Sequence, residues 1–178
     1  MNRGGLNIDY TEGFKLEEIG FKRYYNAIKH VLNATEIEST ARTMIDKSTG
    51  VDLTAKIQGH CVGVSLRVRN KDYNSFTLNR HVNDKHSEIL KWTSKRNNFI
   101  KPAYHVQIAP IENGVKVWRI DIDAFSQFIN RQIKTSKLIS FYNDRLKCYE
   151  FPFENVRGVA GVIVFELNAK LCHSIDKL

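Results

Sequence analysis

Most signatures of common enzyme chemistry are missing from this sequence. It contains no GxxxxGK(S/T) phosphate loop, no GxGxxG, no GxSxG and no HExxH, the patterns that mark nucleotide, dinucleotide, ester and zinc-peptide chemistry. Cysteine is scarce: Cys61, Cys148 and Cys172 are scattered, odd in number and without a CxxC pair. That argues against both a disulfide framework and a structural zinc site. The six histidines do not cluster at ligand spacing. No apolar run approaches the length of a membrane span, and the N-terminal stretch lacks the apolar centre of a signal peptide. The expectation is a reducing, cytoplasmic setting with no membrane partner. Internal repeats and low-complexity segments are absent as well.

What is present is an ordinary folding composition with an excess of positive charge. The 178 residues suffice for one domain with a full core, with residues 1–12 read as a loose arm and 168–178 as a polar tail. Hydrophobic residues make up 42% and charged residues 26%, which excludes a wholly disordered chain. A net charge of +8 favours a polyanionic partner, nucleic acid being the commonest. The plainer alternative is a soluble basic protein.

Periodicity divides the chain into helices and strands. Phe21, Tyr24, Tyr25, Ile28, Val31 and Leu32 recur at helical spacing, and "ATEIESTARTMIDKST" reads as a second helix ending at Gly50. "VDLTAKI" and "CVGVSLRVR" read as strands joined at Gln58-Gly59-His60, a hairpin pattern. "SFTLNR" is a third strand, and "HSEILKWTSKRNNF" a helix inserted after it. "AYHVQIAP" and "GVKVWRIDI" are further strands about the turn "IENG", followed by a helix over "DAFSQFINRQIK" and a last strand in "GVAGVIVFEL". Strands with hairpins, flanked by helices, predict an α/β (α+β) fold with a central mixed sheet.

One region combines an acid with a polar strand face. Asp52 stands at a strand start, where aspartate is disfavoured. Ser65, Arg67 and Arg69 alternate with Val64, Leu66 and Val68 on the next strand. Upstream, Glu38 and Asp46 fall in the expected second helix, and Glu88 opens the inserted helix. Two or three of these carboxylates could converge on a hard divalent cation. Taken singly, each is more simply a solvated surface acid.

This order of helix, "DKSTGVD" and a hairpin ending in "VSLRVR" resembles the PD-(D/E)XK nuclease superfamily. The similarity covers roughly residues 36 to 125 and rests on short motifs. It implies a restriction-endonuclease-like sheet and a phosphodiester-cleaving site that uses Mg2+ or Mn2+. Asp52 would be the principal metal ligand, with Glu38 and Glu88 as supporting acids, and Ser65 and Arg67 would stand where the (D/E)xK triplet falls. The chain departs from that pattern at both triplet positions. A serine hydroxyl is a neutral, weaker ligand than a carboxylate, and arginine is a poor proton-transfer group because its pKa is so high.

Basic residues gather downstream of the hairpin. Arg69, Lys71, Arg80, Lys91, Lys95 and Arg96 are candidate phosphate contacts, together with Lys85 and Lys101. A second run, Arg131, Lys134, Lys137, Arg145 and Lys147, carries Tyr142 and Tyr149 between its members. No sequence-reading motif accompanies them. Three readings stand: a metal-dependent nuclease acting on DNA, a catalytically inactive DNA-binding or assembly module of that fold, and a phage-type interaction or inhibitor protein. The last two leave room for a protein partner or a homodimer.

Overall fold

The computed structural model describes residues 10–40, 51–79, 101–134, 141–143 and 148–172. Helix α1 (Tyr10–Leu32) buries Tyr24, Ile28, Val31 and Leu32 of the expected inward stripe, with Phe21 and Tyr25 partly buried beside them, and Ala27 in addition. It is kinked at Tyr24 (φ −110°, ψ 17°). Asn33 ends it by entering the left-handed region (φ 52°), a conformation asparagine tolerates better than most residues.

Beyond Asn33 the structure departs from the sequence reading. Glu36–Ser39 is not helical but forms strand β1, pairing antiparallel with β2 (Leu53–Ile57). Ile37 is buried between exposed Glu36 and Glu38, so the single apolar residue follows the two-residue period of a strand. The rest of the expected second helix lies outside the described residues.

Strand β3 (His60–Val68) returns against β2 through a two-residue turn. Gln58 (φ 50°) and Gly59 (φ 82°) both take positive φ, the requirement of a type I′ hairpin. Strand β4 (Ser75–Asn79) leaves this sheet. β5 (Tyr104–Ile111) rejoins it parallel to β3, and β6 (Gly114–Asp121) pairs antiparallel with β5. Helix α2 (Ile122–Lys134) follows, then β7 (Phe141–Asn143), β8 (Cys148–Pro152) and the single turn α3 (Phe153–Val156). Strand β9 (Val162–Asn168) and the short α4 (Ala169–Cys172) complete the described chain.

The main sheet runs β1-β2-β3-β5-β6-β9, with β3–β5 the one parallel pair among the described residues. A smaller sheet runs β4-β8-β7. The expected α/β class, a mixed sheet with helices packed against it, therefore holds. The second sheet was not legible beforehand.

The main sheet has a core on each face. On one, α1 packs over Ile37, Leu53, Ala55, Val64, Leu66, Val106, Ile108 and Val117. On the other, Trp118 and Ile120 meet α2 through Ile122, Phe125 and Ile129, and the small sheet through Phe76, Leu78 and Phe151. Phe76 stacks on Phe151 with ring centroids 4.8 Å apart and meets Phe125 edge-on at 5.3 Å. Such aromatic pairs add to what area burial alone supplies.

Candidate functional site

The second face carries every described residue of the anticipated centre. Strand alternation puts Asp52, Thr54, Ser65, Arg67 and Arg69 there, because Leu53, Val64 and Leu66 point the other way into the α1 core. The register adds His105 beside Ser65 and Gln107 beside Arg67, across the parallel β3–β5 pair.

Asp52 is held at the point where β2 begins. Its N–H donates to Val64 O at 2.9 Å, and its carbonyl accepts the N–H of Thr40 at 2.9 Å. The carboxylate reaches farther along β3, where Oδ2 accepts the N–H of Leu66 at 2.6 Å. An acid at a strand start thus extends the ladder by one bond, using side chain instead of backbone.

Ser65 is buried, and its Oγ lies 3.2 Å from His105 Nδ1. His105 is wholly buried. Desolvation first, then the nearby charges of Arg67 and Arg69, hold its pKa well below the ordinary 6.5, so the ring is neutral at pH 7. A serine beside a neutral histidine is the arrangement of an activated nucleophile. Here both partners are buried, out of reach of a macromolecular substrate.

Arg67 and Arg69 turn toward the small sheet. Arg67 Nη1 donates to Thr77 O at 3.0 Å and to Thr77 Oγ1 at 2.9 Å, and Arg69 Nη2 also donates to that hydroxyl. Gln107 completes the join. Its Oε1 accepts the N–H of Thr77 at 3.0 Å while its Nε2 donates to Ser75 O at 2.8 Å. The side-chain amide thereby behaves as a peptide group laid along the outer edge of β4. Ser75 in turn donates to Glu150 Oε1 on β8 at 2.7 Å. Side chains of one sheet satisfy the edge of the other, a buried edge that would otherwise leave backbone groups without bonds.

Glu38 lies on strand β1, not on a helix, and is exposed. Its register partner is Thr54, which makes it a diagonal neighbour of Asp52 on the same face, at a separation of about 7–8 Å between backbones. Among the described residues, no group of three or more His, Cys, Asp or Glu side chains comes together to hold a metal ion. Asp46, Arg80, Lys85, Glu88, Lys91, Lys95 and Arg96 lie outside the described residues.

Of the anticipated basic contacts, Lys71 is exposed on the loop between β3 and β4, with its Nζ 5.9 Å from the ring centre of Tyr73. Tyr73 is itself 57% exposed. Asp72 between them anchors the loop, Oδ1 accepting the N–H of Asn74 at 2.8 Å and Oδ2 pairing with Lys116 at 2.6 Å. Lys101 pairs with Asp123. Tyr149, one of the tyrosines in the second basic run, is half-buried against the core beneath the small sheet.

Sequence reasoning missed His105, the buried partner of Ser65, and Gln107 and Thr77, which join the two sheets. The available signal was the repeated polar alternation of "YHVQ" beside "VSLRVR", two adjacent strands with matching polar positions. Compared with protein-family profiles, curated proteins and solved structures, the chain matches none of them.

Proposed function

We propose that the protein is a nucleic-acid-binding module with a restriction-endonuclease-like architecture, acting on DNA without cleaving it. The observation that carries the non-hydrolytic part is the use to which the motif residues are put. Asp52 bonds the β3 backbone, Ser65 meets a buried histidine, and Arg67 is committed to Thr77. The binding part rests on the net charge of +8 and on the resemblance of the β2–β3 hairpin to nucleases.

A second reading, metal-dependent phosphodiester hydrolysis, is favoured by one arrangement: Asp52 and Glu38 share a face and a diagonal. Asp52, Glu38 and Glu88 would then hold Mg2+ or Mn2+. The ion would supply charge neutralisation at the phosphate and a more acidic bound water.

One experiment separates the readings. Labelled duplex and single-stranded DNA are titrated at 50 and 200 mM salt, and the same mixtures are then incubated with Mg2+ or Mn2+. The first reading expects affinity that falls steeply with salt and DNA that stays intact. Cleavage that is lost in Asp52→Asn would favour the second. Absence of binding at low salt would overturn both.

A further inference from the structure

We infer that strand β9 is a self-association edge, through which two copies of this chain join their main sheets antiparallel about a two-fold axis. The inference stands apart from the nucleic-acid reading.

The two ends of the main sheet are built differently. At one end β1 is only four residues long, reads Glu-Ile-Glu-Ser, and has Glu36 paired with Lys56 at 3.4 Å. Short length and charge are the usual means of discouraging a sheet edge from pairing. At the other end β9 is seven residues long, Val-Ile-Val-Phe-Glu-Leu-Asn, and runs in unbroken register with β6 from Val162 to Asn168. It has no bulge, proline or basic residue, and one acid. Ile163 is 42% exposed, and Val162, Val164 and Phe165 are only partly covered.

The ladder shows which backbone groups face outward. Gly161 O accepts from Asp121 N–H at 2.7 Å, and Ala169 N–H donates to Asn113 O at 3.2 Å, so odd-numbered residues turn toward β6. In an antiparallel ladder the alternate residues turn the other way. Val164 and Glu166 therefore direct N–H and C=O away from the sheet.

A second β9 fits this edge in register. With the axis at Phe165, Val164 exchanges backbone bonds with Glu166 of the second copy, and Glu166 with its Val164. Phe165 then faces Phe165, and Ile163 faces Leu167, on the side of the sheet that carries α1. On that side apolar residues oppose apolar residues, on the other Val164 stands opposite Glu166, and no two like charges lie directly opposite. The two Glu166 carboxylates become diagonal neighbours, each with its own Lys116 3.6 Å away. The pairing is isologous, as a closed two-fold dimer requires. One strand pair buries less than the roughly 1,200 Å² typical of stable complexes, so the dimer is weak, dissociating in the micromolar range or above.

The test is sedimentation equilibrium on the full chain from about 5 to 500 μM in 0.3 M salt, paired with hydrogen exchange at both ends of that range. The expected result is a monomer–dimer equilibrium in which the amides of Val164 and Glu166 gain protection only at high concentration. Val164→Pro removes an outward N–H without touching the β6 ladder, and Ile163→Lys charges the exposed edge. Each should weaken dimerisation at least tenfold while leaving the circular dichroism spectrum unchanged. A monomer throughout the range, dimerisation that neither variant weakens, or protection of both amides already at 5 μM would overturn the inference.

Discussion

The carboxylate of Asp52 accepts the N–H of Leu66 at 2.6 Å, so the acid that the nuclease resemblance singles out also holds the β3 backbone. That bond explains an aspartate at a strand start without invoking catalysis. A charged acceptor on a part-buried N–H contributes about 1.5–3 kcal/mol. Asp52→Ala, which strands the Leu66 donor, should lower unfolding free energy by about that amount. Asp52→Asn retains an oxygen there and should lose less. Urea unfolding of the three proteins checks the order, and equal stability of wild type and Asp52→Ala would refute the structural role.

The amide of Gln107 serves as a substitute strand for β4, bonding Thr77 N–H and Ser75 O together. Gln107→Leu keeps much of the volume but leaves a buried donor and a buried acceptor without those bonds. The expected cost is about 2–6 kcal/mol, the sum of two such groups. Chemical denaturation measures it. The loss should register first as weakened protection of β4 amides in hydrogen exchange, because the small sheet is what the bonds attach.

These residues also mark where sequence reading stops. The alternation of Ser65, Arg67 and Arg69 with Val64, Leu66 and Val68 correctly identifies a strand with two unlike faces. Period two cannot say what covers the polar face, and a polar face is ordinarily assigned to solvent or a ligand. Here it is covered by β4, whose own edge needs the donors and acceptors that Arg67 and Gln107 carry. Glu38 illustrates a second limit. One isoleucine between two glutamates fits a helix or a strand equally well, and pairing with β2, a nonlocal contact, selects the strand. By contrast the β2–β3 hairpin, the β5–β6 hairpin and α2 were legible because turn residues and long apolar patterns lie within each element.

His105 makes stability depend on pH in a defined sense. Its folded pKa lies well below 6.5, through burial and then through Arg67 and Arg69, while in the unfolded chain it returns to the ordinary value. Below that ordinary value the unfolded state binds the extra proton and the folded state does not, so stability falls as pH falls. The contribution is complete above about pH 7 and declines by up to about 1.4 kcal/mol per pH unit toward the folded pKa. His105→Gln should flatten the stability profile between pH 6.5 and 5 relative to wild type. Parallel profiles for the two proteins would contradict the assignment.

If the chain binds nucleic acid as proposed, the loop between β3 and β4 is a direct contact. Tyr73 is exposed, Lys71 lies near its ring, and Asp72 fixes the loop through Asn74 and Lys116. An aromatic presented on an anchored loop loses little further freedom when a base stacks on it. Base stacking of this kind contributes about 1–3 kcal/mol, so Tyr73→Ala should weaken single-stranded DNA binding roughly 5- to 150-fold. Lys71→Ala should act differently, lowering affinity for all sequences and reducing the salt slope by about one. Neither substitution removes a buried group, so thermal unfolding should stay close to wild type. Fluorescence anisotropy at several salt concentrations distinguishes the two effects. Unchanged affinity in both variants would place the nucleic-acid interface away from this loop.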